Sequence, residues 1–238
     1  MNRVEALKVK IFADGADLAS MVELAGQDRI QGLTTNPTLM RQAGIADYAA
    51  FAHAVLDQIT EKPISFEVFA DDHDEMFRQG LLIHSWAQNV YVKIPVTTTN
   101  STPCDSLISK LSAEGVKVNV TAMMTPHQVE SSLEALVPGV PAIVSVFAGR
   151  IADTGRDPIP IMKECLDILA NRPEVELIWA SPRELLNIFQ ADEIGCHIIT
   201  VTADLLKKLS LVDKDLDEYS VETVQMFHRD ATACGYRL

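Results

Sequence analysis

Eight short β-rich runs alternate along this chain with segments of helical periodicity, and that alternation narrows the possible folds more than any other feature. The runs are VKIFA (9–13), RIQGL (29–33), ISFEV (64–68), VYVKI (90–94), VKVNV (116–120), PAIVSV (141–146), ELIWA (176–180) and HIITV (197–201). Between them, segments such as DYAAFAHAVLDQIT, DHDEMFRQGLLIHSWAQN and DPIPIMKECLDILAN carry apolar residues three and four apart, as amphipathic helices do. Strands alternating with helices predict an α/β fold with a parallel sheet. Eight units favour closure into a (β/α)8 TIM barrel over an open doubly wound sheet. No G-x-G-x-x-G follows a strand, which counts against dinucleotide binding. Pro37, Pro103, Pro126, Pro158 and Pro182 fall near expected first helical turns, where a missing N–H costs little.

With 238 residues and no Gly/Ser-rich linker, the chain reads as one domain, 1–238. The last stretch exceeds what eight units need and predicts an extra amphipathic helix over 219–238, with Val224, Phe227 and Tyr236 as apolar anchors. It would either cover the barrel or dock on a neighbouring subunit. The acidic runs at 70–75 and 212–220 read as solvated loops.

Charge excludes several roles. With 20 basic and 33 acidic residues, net −13, the chain repels nucleic acid and anionic membrane surfaces, so an anionic ligand needs a local basic pocket. No apolar stretch suits a signal peptide or a membrane span, and the cytoplasm is the expected compartment. Cys104, Cys165, Cys196 and Cys234 form no C-x-x-C pair and read as buried free thiols. The six histidines lack ligand spacing, so neither a metal nor another cofactor is expected.

In such barrels the chemistry sits at the C-terminal strand ends, and here those ends are crowded with polar residues. Strand 1 ends in Asp14 and strand 2 in T-T-N-P with Thr35 and Asn36. Strand 3 carries Glu67, strand 4 Lys93, strand 5 Asn119 and Thr121, strand 6 Ser145, Phe147 and Arg150, and strand 7 Ser181 and Arg183. Lys93 shares a strand face with Tyr91 and Pro95, but periodicity alone leaves open whether that face points outward, where the lysine would snorkel, or inward. Inward, a low-dielectric interior would lower its pKa from about 10.4 and supply the neutral amine that attacks carbonyls. Schiff-base chemistry also needs proton-shuttling carboxylates, which Asp14 and Glu67 supply, although Asp14 taken singly could merely cap the next helix. Asn36, Asn119, Thr121 and Ser145 suit a polyol. Arg150 and Arg183, with Ser181-Pro182-Arg183 opening a helix, suit a phosphate unless nearby carboxylates pair with them.

Together FADGAD, GLTTNPTL, FEVFA, VYVKIPV, KVNVTAM, SVFAGRIAD and WASPR, spanning Asp14 to Arg183, resemble the transaldolase family in its short form, related to fructose-6-phosphate aldolase. The resemblance implies that Lys93 is the Schiff-base nucleophile and Asp14 the acid/base of aldol cleavage, with Glu67 acting through a water oriented by Thr121. It further implies that Asn36, Asn119 and Ser145 contact a dihydroxyacetone unit, and that Ser181, Arg183 and Arg150 hold the phosphate. Fructose-6-phosphate aldolases typically carry glutamine and tyrosine where this chain has Glu67 and Phe147. Transfer of a dihydroxyacetone unit between sugar phosphates is therefore expected over cleavage that releases dihydroxyacetone. Pro182 replaces a residue that is often aromatic, and Arg156 is additional. Both lie where the far end of the substrate should bind, so they bear on whether the anionic group is phosphate or, for example, sulfonate. The terminal helix and the resemblance point to a homo-oligomer.

Overall fold

The β-branched runs form strands because their side chains pack well on a pleated surface. In the computed structural model, which describes residues 3–237, the strands are β1 (Lys10–Asp14), β2 (Ile30–Thr34), β3 (Ile64–Glu67), β4 (Val90–Pro95), β5 (Val118–Met123), β6 (Ala142–Val146), β7 (Val175–Trp179) and β8 (Ile198–Thr202). They pair in parallel in chain order, and β8 returns to β1 to close a TIM barrel. The helices are α1 (Leu18–Ala25), α2 (Pro37–Gln42), α3 (Tyr48–Leu56), α4 (His73–His84), α5 (Asp105–Ala113), α6 (Pro126–Ala135), α7 (Ala148–Asp153), α8 (Pro158–Leu169), α9 (Leu186–Glu193), α10 (Ala203–Lys207) and α11 (Leu216–Cys234). The loops after β2 and β6 each begin with a short helix, α2 and α7, before the crossover helix.

Two apolar clusters divide the strand faces. Outward residues such as Val92, Ile94, Val120 and Val144 join the layer packed under the helices. Phe12, Ile143, Ile178, Ala180 and Ile198 fill the barrel, with Tyr91 and Phe147 against them. The Phe12 ring lies across β2, where a Cβ on Gly32 would come 2.4 Å from it, so only glycine fits there. Tyr91 belongs to the interior cluster, and Lys93, two residues on, projects from the same face.

The acidic runs are more than solvated loops. Asp72 accepts from the N–H groups of Asp74 and Glu75, and Asp215 from those of Asp217 and Glu218, so each run starts a helix. Carboxylates are favoured there because they satisfy N–H groups left open by the first turn and meet the positive end of the helix dipole. Asp17, not Asp14, caps α1. Pro37, Pro126 and Pro158 stand in first turns, whereas Pro103 and Pro182 lie in the loops before α5 and α9.

The extra helix runs over Leu216–Cys234 rather than 219–238. Gly235 at φ 65° ends it, so Tyr236 lies beyond it; Leu238 is outside the described residues, as are positions 1 and 2. It does not cover the barrel: none of its residues is buried, and Val224 and Phe227 are 63% and 62% exposed. Cys104, Cys165 and Cys196 are buried thiols, but Cys234, on this helix, is exposed. Among the described residues no helix is long and apolar enough to cross a membrane.

Candidate active site

In the β3–β4–β5 register, Glu67 stands beside Lys93 and Lys93 beside Asn119. In-register neighbours on parallel strands lie about 4.8 Å apart and point to the same face, so three polar side chains converge inside the barrel at one level. Lys93 is 6% exposed. Its Nζ donates to the Thr35 carbonyl at 3.0 Å and faces Glu67 Oε2 at 3.1 Å. Ser145 Oγ donates to Asn119 Oδ1 at 2.7 Å, while Asn119 Nδ2 donates to Ser65 Oγ at 2.9 Å, which fixes the amide's orientation. Asp14 pairs in register with Thr34, whose hydroxyl donates to Asp14 Oδ1 at 2.8 Å. Burial pushes the Asp14 carboxyl above its ordinary range. Lys93 and the Thr34 hydrogen bond oppose that push, and Glu67 adds to it. A buried carboxylate so tuned and set beside a lysine is suited to proton transfer.

Every site residue expected from the sequence except Thr35 lines one cavity of about 510 Å³ at the C-terminal ends of the strands. Thr35 is the exception because strand side chains alternate: Thr34 points to the cavity, and Thr35 contributes its carbonyl to Lys93 while its buried hydroxyl has no partner. Asn36 also caps α2 through Leu39 N–H at 3.0 Å. The Thr121 hydroxyl is buried and unpartnered. It sits where the β5–β6 register shifts, next to Ala122 at φ 65°, a left-handed conformation that only a small share of non-glycine residues adopt.

Two arginines reach the rim from different elements. Arg150 on α7 lies over the Phe147 ring at 5.6 Å. A Cβ on Gly149 would sit 1.6 Å from the Ser181 carbonyl oxygen, so glycine alone lets α7 pass against the loop after β7. That approach also places Arg183 beside Asp153. Arg183 Nε donates to Asp153 Oδ1 at 3.1 Å and Nη2 bonds Oδ2. The expectation that Ser181-Pro182-Arg183 opens a helix with free N–H groups fails. Ser181 adopts φ 60°, α9 begins only at Leu186, and the Arg183 and Glu184 N–H groups donate to Asn187 Oδ1 at 2.8 and 3.1 Å.

Sequence reading missed Ser65, Thr34, Thr200 and Asp153. Ser65 and Thr200 could have been found from alternation, since Ser65 precedes Glu67 by two residues on one strand face and Thr200 lies inside a β-run. Asp153 had no local signal, because its partner is thirty residues away in the chain. Among the described residues no group of three or more His, Cys, Asp or Glu side chains is placed to hold a metal ion.

The closed barrel places a lysine and a carboxylate together at its C-terminal mouth, an arrangement suited to aldolase-type chemistry. The sequence matches the family described as Transaldolase/Fructose-6-phosphate aldolase over residues 11–237, and the chain belongs to that family. A Dehalococcoides mccartyi protein named "Probable transaldolase" is 34% identical over 202 residues, covering 84% of this chain and 90% of that protein. One of the same name from a Thermoanaerobacter species is 32% identical over 231 residues, covering 97% of this chain and all of that protein. Among solved structures, a Coccidioides immitis protein assigned to the dihydrodipicolinate synthase family superimposes with TM-score 0.61 at 14% identity, covering 98% of this chain and 80% of its own. At that identity the likeness concerns the fold alone.

Proposed function

We propose that the chain, acting as a single barrel domain, is a transaldolase that moves a dihydroxyacetone unit from a ketose phosphate to an aldose phosphate through an imine on Lys93. The observation that carries this reading is the buried Lys93 amine, 3.1 Å from Glu67 and in a cavity shared with Asp14. For the amine to attack the ketose carbonyl it must lose a proton, and Glu67 is placed to receive it. A water held by the unpartnered Thr121 hydroxyl would relay that proton to the carbinolamine oxygen, which leaves as water and yields the imine. Asp14 then takes the C4 hydroxyl proton as the C3–C4 bond breaks. The aldose departs, and the enamine left on Lys93 attacks the acceptor aldehyde as Asp14 returns the proton. Water delivered through Glu67 then adds to the imine, and its hydrolysis frees the new ketose from Lys93. Asn119, Asn36 and Ser145 would hold the three-carbon unit, and Arg150, Ser181 and Arg183 the anionic end. No cofactor enters these steps.

Borohydride reduction with fructose 6-phosphate should add one stable adduct, located on Lys93 by peptide mass spectrometry. An adduct on another lysine, or none, would sink the reading. The rival within the family is cleavage that releases dihydroxyacetone. Glu67 and Phe147, where such aldolases typically carry glutamine and tyrosine, favour transfer. Dihydroxyacetone accumulating without acceptor as fast as transfer proceeds would reverse that choice. The Arg183–Asp153 pair favours testing a sulfonated ketose beside the phosphate, since the rim is less cationic than two free arginines would make it. We place the enzyme in the cytoplasm, where unpaired cysteines persist. The exposed apolar residues of α11 favour a homo-oligomer, which light scattering would detect as a mass above that of one chain.

A further inference from the structure

The ladder between β2 and β3 is short. Leu33 pairs with Ile64 and Thr34 with Ser65, and the Thr35 N–H reaches the Ser65 carbonyl at 3.3 Å. Against β4, by contrast, pairing continues to Glu67 opposite Lys93. The N–H and C=O of Glu67 that face β2 therefore have no strand beside them, although buried backbone groups require partners. One side chain supplies both. Tyr48, the first residue of α3, accepts the Glu67 N–H at 2.8 Å and donates its hydroxyl to the Glu67 carbonyl at 2.7 Å. Its ring is held by Phe66, Phe69 and Trp86, with centroids 6.4, 5.3 and 6.1 Å away. Burial pushes the phenol above its ordinary range, so the hydroxyl keeps the proton it donates. The same early end of the ladder leaves the Thr35 carbonyl to accept from Lys93 at 3.0 Å.

We propose that Tyr48 is a positioning residue for the imine steps: its hydroxyl takes the place of the missing strand and holds the Glu67 backbone so that the carboxylate stays at the Lys93 amine. Tyr48 touches no reacting atom and acts through Glu67. The inference rests on the imine reading above, and it predicts a selective defect. Imine formation and hydrolysis slow while ground-state binding of the ketose does not, because a carboxylate displaced by a fraction of an ångström transfers protons poorly without altering the pocket that holds the sugar.

The test uses full-length protein and dihydroxyacetone, which forms the imine without carbon–carbon cleavage. The readout is loss of ¹⁸O from its carbonyl, with borohydride trapping as a control. Tyr48→Phe keeps the ring packing and should slow exchange roughly tenfold or more, with KM nearly unchanged. In a Glu67→Gln background the same substitution should add nothing, because the group it positions is already gone. An unchanged exchange rate in Tyr48→Phe, or an equal loss in both backgrounds, would overturn the proposal in favour of a structural role. Should Tyr48→Phe fail to fold, Trp86→Phe loosens the ring while sparing the hydroxyl, and the same pair of backgrounds decides by the same rule. Wild-type protein that traps no adduct on Lys93 would overturn the proposed function and this inference with it. Wild-type trapping with an unaffected Tyr48→Phe removes the inference alone.

Discussion

Lys93 and Glu67 occupy paired positions on β4 and β3, and their side chains meet 3.1 Å apart inside the barrel. Each neutralises a charge that the interior would otherwise leave alone. Lys93→Met should abolish transfer by at least about a thousandfold and cost on the order of 2–3 kcal/mol of stability, because Glu67 loses its partner. Adding Glu67→Gln should recover most of that stability and none of the activity. Urea denaturation of the single and double variants checks this, and a double variant no more stable than Lys93→Met would refute the pairing.

Asp14 gives a pH signature. Its folded-state carboxyl titrates above the ordinary aspartate value of 3.8, so the folded protein binds the proton more tightly than the unfolded chain. The stability linked to that proton is complete below the unfolded value and is lost as pH rises through the folded one. Asp14→Asn, which stays neutral, should therefore raise Tm at pH 7 and lose that advantage near pH 4, while activity falls about a hundredfold. Wild-type turnover should show an acid limb with its midpoint above 3.8. A Tm difference that is flat across this range would contradict the assignment.

Thr121 separates stability from activity. Its hydroxyl is buried without a partner, so Thr121→Val removes an unsatisfied group of nearly the same shape. We expect thermal stability equal to the parent's or higher by up to about 1 kcal/mol, together with at least a tenfold loss in kcat. Retained kcat would dissociate Thr121 from the imine steps.

At the rim, Asp153 engages Arg183, so on the proposed function it would compete with an anionic substrate. Asp153→Asn should lower KM for phosphorylated donors about two- to fivefold and leave kcat and the KM of unphosphorylated ketoses unchanged. The difference should shrink at high salt, because both groups are half exposed. A higher KM would mean that Asp153 instead orients Arg183 productively.

Gly149→Ala forces α7 away from the Ser181 carbonyl. A loss of roughly 1–3 kcal/mol is expected, with weaker binding of anionic substrates because Arg150 and Arg183 are pulled apart. Normal affinity for phosphate in this variant would show that the two arginines need not act together.

Much of this was legible in the chain because it is local. Period-two runs, helical spacing and turn residues located all eight strands, and the polar residues at their ends marked the mouth of the barrel. What stayed illegible depended on distant partners: Asp153 against Arg183, Asn187 taking N–H groups expected to be free, and Tyr48 under Glu67.

The sequence by itself determined which residues share a strand face: Tyr91 with Lys93, Ser65 with Glu67, Thr34 apart from Thr35. It could not say which face was the inside, because alternation has no sign. Closure of the sheet decided that. Once Phe12, Ile143, Ile178 and Ile198 fill the interior, Tyr91 must join them, and Lys93 follows on the same face to meet Glu67 from the neighbouring strand. Only that long-range packing turns a lysine in an apolar strand into a buried amine paired with a carboxylate.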